Sequence, residues 1–486
     1  MSREFQKKTI SPFSILVSVI LFLLVLFLPE SVLPMETPAR QTLSLGVLMI
    51  SLWITEAIPI PVTSMLPAVF LPLFGIMNFK EALLPYINPV ILLFFGGFIL
   101  AISLEKYYIH NRIAFYLIDK LGSSPSRVIA GFMIATGFLS MWISNTSTAV
   151  IMFPIGMSVI HLMEKHQQEP ASLHRFALAL MLAIAYAANI GGSGTLVGTP
   201  VNALLVGMLD EFADVNLEFG RWLILGIPFV IVMIFLAWFI LTKVFFRVGN
   251  RKIEGIQDYI HNEKKKLGPV KAVEKRIFII FIVTASMWIF RSLLASALDI
   301  EFLSDAMIAL MAAIILFMVP GGIEKRVPIL VWSDTRNVPW GILILFGGGL
   351  SLANGLYETG VISMIGDSII GASDFPMILI VALTVTVMLL LTEVIGGTPL
   401  SSVLFPVIIG VAAALNVHAV ELIIPMALAG NAAFMLPMGT PPNAIVFASG
   451  YLKIKDMVRV GWLMNIIAII VILLLGRMLV GLVYPH

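Results

Sequence analysis

Three stretches of this 486-residue chain run for more than 30 residues without a single Asp, Glu, Lys or Arg. They cover residues 128–163, 176–209 and 422–452. As straight helices they would measure about 45–54 Å, whereas the hydrocarbon core of a bilayer is about 30 Å thick. Each stretch must therefore fold back, tilt steeply or break inside a membrane, and clusters of polar residues, glycine and proline mark where it does so.

The composition is that of a polytopic membrane protein and excludes several other classes. Hydrophobic residues make up 59% of the chain and charged residues 12%, against about 45–50% and about 25% in a soluble domain. A formal net charge of +2 leaves no basic surface for a nucleic acid. The absence of cysteine excludes disulfides, thiolate metal sites and cysteine nucleophiles. We do not expect an enzyme, because His418 and Glu393 form no acid–base or metal site by their spacing.

The remaining apolar runs predict ordinary membrane spans. The first run follows a short basic segment and is long enough to cross, so we expect a membrane helix and not a cleaved signal peptide. The N-terminus is then cytoplasmic, in a multi-pass protein of the inner (plasma) membrane. The expected spans are about 13–34, 41–58, 60–77, 89–109, 221–246, 276–297, 304–320 and 337–357.

The distribution of basic residues favours a hairpin at 124–165 that enters and leaves the membrane from the cytoplasmic side. With that hairpin, 25 of the 30 Lys and Arg residues fall inside, as the positive-inside rule requires. A single crossing there would instead place the 247–276 loop, with nine basic residues, outside. The hairpin topology is therefore the one we expect.

The two halves of the chain repeat each other. The matching landmarks are Phe-Gly-Gly at 95–97 and 346–348, Ser144-Asn145-Thr146 against Gly396-Gly397-Thr398, and Gly-Thr-Pro-Val-Asn at 198–202 against Gly-Thr-Pro-Pro-Asn at 439–443. The second hairpin is expected at about 374–420 on the outer side, so that the halves would be inverted. Inverted repeats with paired broken helices are the architecture of secondary transporters, whose site lies near the bilayer midplane.

The middle of the first long stretch carries the polar sequence Ser140-Met-Trp-Ile-Ser-Asn-Thr-Ser-Thr148. Hydroxyl and amide side chains are costly against lipid, so these must face protein, water or a ligand. A helix that begins at a hairpin tip exposes free N–H groups and a partial positive charge, which suits a carboxylate. Side-chain oxygens beside it suit a monovalent cation. The alternative is that these residues only cap a kinked helix.

Glycine and proline interrupt the other two long stretches at 189–202 and 431–443. Such breaks free backbone carbonyls, which is tolerated at membrane depth only inside protein or beside a cavity. Their recurrence in both halves favours a site over simple kinks. Glu393 and Glu56 are ionisable residues in apolar runs, for which a structural partner and a transport role are both open. No Lys or Arg lies in these motifs, so an anion bound there would need a co-bound cation.

These motifs resemble those of the divalent anion:Na+ symporter family, the INDY-like di- and tricarboxylate transporters. The resemblance covers nearly the whole chain and rests on residues 53–59 (WITEAIP), 144–146 (SNT), 198–202 (GTPVN) and 439–447 (GTPPNAIVF). It implies an all-α polytopic membrane protein with about 11 transmembrane helices and two re-entrant hairpins, arranged as a homodimer in the lipid bilayer. It also implies scaffold domains and elevator-type transport domains.

The expected domain boundaries follow from that resemblance. Repeat 1 would have scaffold helices at 1–123 and a transport part at 124–246, repeat 2 would have scaffold helices at 276–373 and a transport part at 374–486, and a cytoplasmic basic loop at 247–275 would join them.

The resemblance implies site residues as well. A first Na+ site would use Ser140, Ser144, Asn145 and the carbonyl of Gly198, and a second would use Thr392 with carbonyls near Ile395 and Gly439. Substrate carboxylates would meet Asn145, Thr146, Thr199, Pro200, Thr398, Thr440 and Pro441.

This chain departs from the family pattern at one point, where Gly396-Gly397-Thr398 replaces a second Ser-Asn-Thr. The loss of the Asn side chain removes one oxygen ligand for Na+ and one donor for a carboxylate. We expect a secondary transporter that couples C4-dicarboxylates (succinate, malate or fumarate) to Na+. Three alternatives stay open: a Na+-independent dicarboxylate exchanger, a carrier of sulfate or another inorganic anion on the same fold, and a passive channel.

Overall fold

The protein is described by a computed structural model that covers residues 11–165, 169–249, 252–300, 302–322, 327–368 and 375–483. Within these ranges the secondary structure is helical, with one isolated bridge between Pro320 and Pro328. The helices of the first half are α1 (12–26), α2 (37–55), α3 (60–63), α4 (66–73), α5 (79–83), α6 (89–106), α7 (109–121), α8 (125–140), α9 (145–165), α10 (170–192), α11 (200–213) and α12 (219–239). Those of the second half are α13 (256–266), α14 (272–289), α15 (291–298), α16 (305–318), α17 (340–358), α18 (361–368), α19 (377–395), α20 (397–414), α21 (420–430), α22 (441–447) and α23 (454–483).

Many of these helices are long and apolar enough to cross a membrane. In the described part of the chain eight pass that test alone, and a ninth span results if α14 and α15, bent by 76°, count as one. Shorter apolar helices occupy 12–26, 60–73, 305–318 and 420–430. The expectation of an all-α polytopic membrane fold is confirmed. α9 of the first hairpin and both arms of the second, α19 and α20, also pass the test, so length alone does not distinguish a re-entrant arm from a full crossing.

Besides the span expected at 276–297, which is bent between α14 and α15, two expected spans differ clearly in their bounds. α1 ends at Leu26, eight residues before the expected end, because the chain turns at Pro29, whose carbonyl accepts a hydrogen bond from the N–H of Val32 at 2.9 Å. The span expected at 60–77 is divided into α3 and α4, with Pro67 at the start of α4 and Pro72 inside it. Proline lacks the N–H that continues a helix, which accounts for the interruptions.

The two hairpins and the two helix breaks lie where the sequence predicts them. α8 and α9 form the first hairpin with its tip at 141–144, and α19 and α20 form the second with its tip at Gly396. The segment 193–199 separates α10 from α11, and 431–440 separates α21 from α22. The same order of hairpin, broken helix and flanking helix therefore occurs in both halves.

Packing brings the hairpin of each half against the broken helices of both halves. α10 packs on α8, α9 and α22, while α9 also contacts α22. α20 packs on α11 and α21, and α19 packs on α21. α12 and α23 contact each other and flank this centre. The repeated Phe-Gly-Gly motifs lie outside it and allow close packing: a Cβ on Gly96 would lie 2.6 Å from the carbonyl carbon of Ala309 in α16.

The basic segment 247–275 contains a helix where the sequence analysis expected only a loop. α13 buries Ile256 and Ile260 and packs on α7. The side chain of Lys264 on α13 pairs with Asp119 on α7 at 2.6 Å. The lysines of this helix dominate its sequence, so the two isoleucines that hold it against α7 are not recognised there.

An ion-pair cluster joins the start of α12 to α15 and α16. Arg291 pairs with Glu218 at 2.7 Å and with Asp305 at 3.5 Å. The N–H of Phe219 donates to Asp305 at 3.0 Å, and the hydroxyl of Ser292 donates to Glu218 at 2.6 Å. Burial raises the pKa of Glu218, but the hydrogen bonds from Ser292 and Arg291 outweigh it and hold the pKa below its usual value. The cluster therefore fixes α12 against helices of the second half.

Candidate functional site

The first hairpin tip places its polar residues against the broken helix of the same half. α8 ends at the buried Ser140, whose Oγ lies 2.7 Å both from Oδ1 of Asn145 and from the carbonyl oxygen of Ala188. The side chain of Asn145 lies so close to Gly192 that a Cβ there would overlap it, and a Cβ on Gly198 would lie 3.0 Å from the carbonyl oxygen of Ser140. Hydroxyl, amide and carbonyl oxygens thus gather at the first tip, beside Gly198.

Ser144 serves as a cap, as the alternative interpretation of this motif proposed. Its Oγ accepts a hydrogen bond from the N–H of Ser147 at 3.2 Å, in the first turn of α9. Ser140 and Asn145 instead reach across to α10, which capping does not require. The motif therefore combines a helix cap with a cluster of oxygens.

The two helix breaks are held by the same internal hydrogen bond. In the first break, Nδ2 of Asn202 donates to the carbonyl oxygen of Thr195 at 2.8 Å. In the second, Nδ2 of Asn443 donates to the carbonyl oxygen of Leu436 at 3.0 Å. Donor and acceptor each recur after 241 residues, so the repeat seen in the sequence extends to single hydrogen bonds.

Two more asparagines connect the breaks to each other. Nδ2 of Asn431 in the second half donates to Oδ1 of Asn202 in the first, at 3.1 Å. In return, Nδ2 of Asn189 in the first half donates to Oδ1 of Asn443 in the second, at 3.4 Å. All four side chains are buried. Because buried amides need their partners, this reciprocal pair ties the two broken helices together at the centre.

The two threonines expected to meet substrate take opposite roles in this network. The hydroxyl of Thr199 donates to Oδ1 of Asn431 at 2.9 Å. The hydroxyl of Thr440 instead accepts from Nδ2 of Asn189 at 2.9 Å. A hydroxyl has one hydrogen to donate, so the hydrogen of Thr199 is engaged and that of Thr440 remains for another acceptor. Of the two, Thr440 is the one prepared to donate to a carboxylate.

The second hairpin tip packs backbone against backbone. Gly396 has a φ of 82°, in the left-handed region that favours glycine. A Cβ on Gly397 would overlap the carbonyl oxygen of Gly430 at the end of α21 and lie 3.2 Å from Cγ2 of Val201 on α11. The first tip fills the equivalent place with the side chain of Asn145 against Gly192. The loss of the second Asn is therefore matched by a closer approach of the two backbones.

The residues expected for a second cation site lie around this tip. The buried hydroxyl of Thr392 donates to the carbonyl oxygen of Met388 at 2.8 Å. Ile395 ends α19, and the carbonyl oxygen of Gly439 lies 3.8 Å from the position of a Cβ on Gly396. The structure thus brings Gly439 to the second tip, where Oε2 of Glu393 lies 3.1 Å from the position of a Cβ on Gly439 and the other expected oxygens are those of Thr392 and the backbone.

Replacing Gly397 with alanine is expected to lower the thermal stability of the protein. The added methyl group has no space beside the carbonyl of Gly430, and overpacking of this kind costs roughly 1–3 kcal/mol. The measurement is the unfolding temperature of the purified protein, followed by tryptophan fluorescence. Gly46→Ala is the matched control, because a Cβ on Gly46 meets nothing within 4 Å. An unchanged unfolding temperature for Gly397→Ala would contradict the close packing of this tip.

Glu393 has structural partners. Of the two roles left open by the sequence, a structural one and one in transport, the structure supports the first. Its carboxylate is buried and accepts hydrogen bonds from the N–H groups of Phe434, Met435 and Leu436 at 2.8–3.0 Å. Nδ2 of Asn465 on α23 donates to it at 2.8 Å. Every partner is a donor, as an ionised carboxylate requires. Glu393 therefore holds the second helix break to the second hairpin.

Glu56, the other acidic residue singled out in the sequence, ends α2. It adopts a left-handed conformation with φ 45° and is exposed. It therefore belongs to the end of a helix in the expected scaffold and not to the centre formed by the two breaks.

Accessibility separates the two groups of expected site residues. Among the expected cation ligands Ser140, Thr392, Gly198 and Gly439 are buried, and Ser144, Asn145 and Ile395 are half-buried. Among the expected substrate contacts Thr199 is buried, Asn145, Pro200, Thr398 and Thr440 are half-buried, and Thr146 and Pro441 are exposed. A ligand could thus reach most substrate contacts directly, while most cation ligands lie beneath them.

Five asparagines of this centre, among them Asn202 and Asn443 of the repeated motifs, were not assigned a role from the sequence. Asn189 and Asn431 stand at the starts of the two Gly/Pro motifs, and Asn465 lies alone in the apolar α23. The sequence could have indicated them, because a buried amide without hydrogen-bond partners is costly. Each of these asparagines must therefore have a donor or acceptor nearby. Their partners come from the other half of the chain or from another helix, and the sequence does not identify them.

Helix ends supply the electrostatics of this centre. α9, α11 and α20 begin at Asn145, Pro200 and Gly397, all at the tips and breaks described above. The amino end of a helix has unpaired N–H groups and a partial positive charge, so it favours an anion. With no Lys or Arg in these segments, such an anion would depend on N–H, hydroxyl and amide donors and on any cation bound beside it.

Comparison with known proteins identifies the family. The family model described as "Sodium:sulfate symporter transmembrane region" matches residues 8–483. The chain therefore belongs to this family of membrane transporters, and the resemblance drawn from its motifs is confirmed.

Two relatives and one solved structure define its neighbours. It is 41% identical over 436 residues to the "Sodium-dependent dicarboxylate transporter SdcS" of Staphylococcus saprophyticus, covering 88% of this chain and 83% of that one. It is 40% identical over 427 residues to the protein of the same name from Staphylococcus aureus strain USA300, covering 87% and 82%. The crystal structure of the Alcanivorax borkumensis YdaH transporter matches with a TM-score of 0.55 and 14% identity, covering 93% and 99%. That likeness concerns the fold alone, whereas the two relatives are named as transporters.

Proposed function

We propose that this protein carries C4-dicarboxylates of the succinate, malate and fumarate type across the plasma membrane, coupled to Na+. The observation that carries the proposal is the meeting of each hairpin tip with a helix break, where hydroxyl, amide and backbone groups converge. The staphylococcal relatives, named as sodium-dependent dicarboxylate transporters, support the same ion and substrate class.

Na+ would bind first at the tip of the first hairpin. Ser140, Ser144, Asn145 and the carbonyl of Gly198 offer neutral oxygens, which suit a hard cation. Ser140 and Asn145 already lie 2.7 Å apart through their side-chain oxygens. A second ion would depend on Thr392 and on carbonyls at Ile395 and Gly439. We expect weaker binding there, because Gly397 supplies no side-chain oxygen.

The substrate would lie between the two tips. One carboxylate would meet Asn145, Thr146, Thr199 and Pro200, and the other would meet Thr398, Thr440 and Pro441. Burying two negative charges is costly unless they are offset. The Na+ ion beneath the first tip and the amino ends of α9, α11 and α20 would supply that offset. This arrangement makes binding of the anion and of the cation depend on each other.

Transport would move one part of the protein against another in an elevator manner. The moving parts would be 124–246 and 374–486, on the scaffold formed by 1–123 and 276–373, within a homodimer whose N-termini are cytoplasmic. The packing of both hairpins on both broken helices supports a single moving unit. The cluster of Glu218, Arg291 and Asp305 joins the two parts, so movement would require these bonds to open.

Uptake by purified protein in liposomes tests the proposal. Labelled succinate is supplied outside, with an inward Na+ gradient, with an equal K+ gradient, or with unlabelled succinate inside and no Na+. We expect accumulation only with the Na+ gradient, since the cation offsets the charge of the substrate. Addition of excess unlabelled malate or fumarate outside should compete, and sulfate should not.

A Na+-independent exchanger is the second candidate, and the packing of Gly397 on Gly430 is the observation that favours it. Uptake driven by internal succinate and indifferent to Na+ would contradict symport and support exchange. Competition by sulfate at concentrations similar to those of succinate would instead assign an inorganic anion.

A further inference from the structure

A cavity of about 630 Å³ lies between α7, α8, α13 and α14, outside the centre described above. Its walls are apolar and include Phe138, Trp142, Phe281 and Ile282. Trp142 belongs to the first hairpin tip, and its ring packs edge-on against that of Phe281 at 4.8 Å. The cavity therefore extends to the first hairpin tip.

The rim of this cavity is apolar and exposed. Phe138 is 41% exposed, Phe278 49% and Ile282 45%. Such side chains at the surface of a membrane-spanning helix face hydrocarbon, so the opening admits an acyl chain more readily than water.

One end of the cavity is basic. Lys264 on α13 and Lys275 on α14 line it, together with Arg112 on α7. Lys275 and Ile282 are seven residues apart on α14, which corresponds to about 10 Å along the helix. The cavity thus runs from a charged end near α13 to an apolar end beside the hairpin, the order of groups in a phospholipid.

Arg112 stabilises this charged end, but its guanidinium is already engaged by groups of the protein. Its guanidinium donates to the carbonyl oxygens of Leu267, Gly268 and Pro269, and it pairs with the buried carboxylate of Glu274 at 2.8 Å. These bonds fix the turn between α13 and α14. They leave the two lysines as the groups that can meet a ligand.

The two lysines are both accessible to an anionic ligand. Lys264 pairs with Asp119 at 2.6 Å, but its side chain is 37% exposed and its amine has three N–H donors. Lys275 is exposed, and in the described ranges it forms no ion pair. Basic residues of this kind between membrane helices attract acidic lipid head groups.

We propose that this cavity binds one anionic phospholipid of the leaflet that faces segment 247–275. Its phosphate group lies against Lys264 and Lys275, and one acyl chain enters the cavity and contacts Trp142 and Phe281. The lipid thereby occupies the space between the first hairpin and α14.

Quenching of tryptophan by lipids with brominated acyl chains tests this site. The protein is reconstituted in membranes with increasing fractions of brominated phosphatidylglycerol, or of brominated phosphatidylcholine. The difference between wild type and Trp142→Phe gives the signal of Trp142. We expect it to be quenched by phosphatidylglycerol at a fraction about tenfold below that needed with phosphatidylcholine.

Two double variants distinguish a specific lipid site from the general attraction of anionic lipids to the basic segment. In Lys264→Gln/Lys275→Gln the preference for phosphatidylglycerol should fall by about tenfold. Lys265→Gln/Lys271→Gln removes the same charge from exposed residues that do not line the cavity, and should keep the preference. Equal losses in both variants, or a Trp142 signal that neither brominated lipid quenches, would overturn the proposal.

A second measurement does not depend on Trp142. Native mass spectrometry counts the phosphatidylglycerol molecules that the purified protein retains in detergent. Wild type and Lys265→Gln/Lys271→Gln should retain one more lipid than Lys264→Gln/Lys275→Gln. Equal retention by all three would reject the site.

Discussion

Replacing Asn145 with alanine is expected to abolish Na+-driven dicarboxylate uptake. The side chain of Asn145 lies between Ser140 and Gly192 at the first tip, and it is the residue proposed for both the cation and the substrate. Loss of one hydrogen bond or ligand to a charged group costs about 1.5–3 kcal/mol, or roughly one to two orders of magnitude in affinity for each ligand. The measurement is initial uptake of labelled succinate as a function of external Na+.

The fold should survive this change. Ser140 keeps its hydrogen bond to the carbonyl oxygen of Ala188 at 2.7 Å, so no buried hydroxyl is left without a partner. Asn262→Ala on the exposed surface of α13 is the matched control and should transport like wild type. Na+-driven uptake retained by Asn145→Ala, at unchanged Na+ dependence, would remove Asn145 from the site.

Replacing Glu393 with glutamine is expected to destabilise the protein by about 2–5 kcal/mol and to abolish transport with it. The carboxylate accepts from three successive backbone N–H groups, 434–436, and from Asn465. Glutamine offers one acceptor oxygen, and its amide N–H groups would point at other donors. The segment that it releases leads directly to Gly439 and Thr440. The measurements are the unfolding temperature and succinate uptake.

A graded series makes this prediction specific. Asn465→Ala removes one donor of the four and should cost about 1 kcal/mol. Glu358→Gln, at the exposed end of α17, changes the same charge and should alter neither the unfolding temperature nor uptake. If Glu393→Gln unfolds at the temperature of wild type, the carboxylate does not hold the second break.

The large features of this fold follow from the sequence because they are dictated by length and polarity. A charge-free run of 36 residues cannot be a straight span, and the structure divides it into α8 and α9 at the polar tip. The breaks fall at the Gly/Pro motifs because the charge-free runs 176–209 and 422–452 are also too long for one straight span. Bounds such as the end of α1 were harder to predict, because they depend on where a turn after Pro29 closes.

The partners inside the site could not be predicted to the same extent. The sequence places Thr199 and Thr440 at matching positions of a repeat, which predicts matching roles. In the structure one donates and the other accepts, since Asn431 turns its oxygen to Thr199 and Asn189 turns its nitrogen to Thr440. Each asparagine is oriented by bonds to the opposite half, and such long-range partners leave no trace in local sequence.

The helix α13 shows a similar limit. A segment with three lysines in its last three positions is typical of a solvated loop. It is a helix because Ile256 and Ile260, four residues apart, share one face that packs on α7. Two apolar residues are too weak a periodic signal to predict that contact.

The central claim is that the positive charge of an anion site without Lys or Arg is supplied by Na+. The most direct test is the affinity of the purified protein for succinate, measured by calorimetry in Na+ and in choline at equal ionic strength. Because coupling is reciprocal, we predict that succinate binds at least about tenfold more tightly in Na+, and that Na+ binds more tightly with succinate present. Equal affinity for succinate in the two salts would contradict the claim.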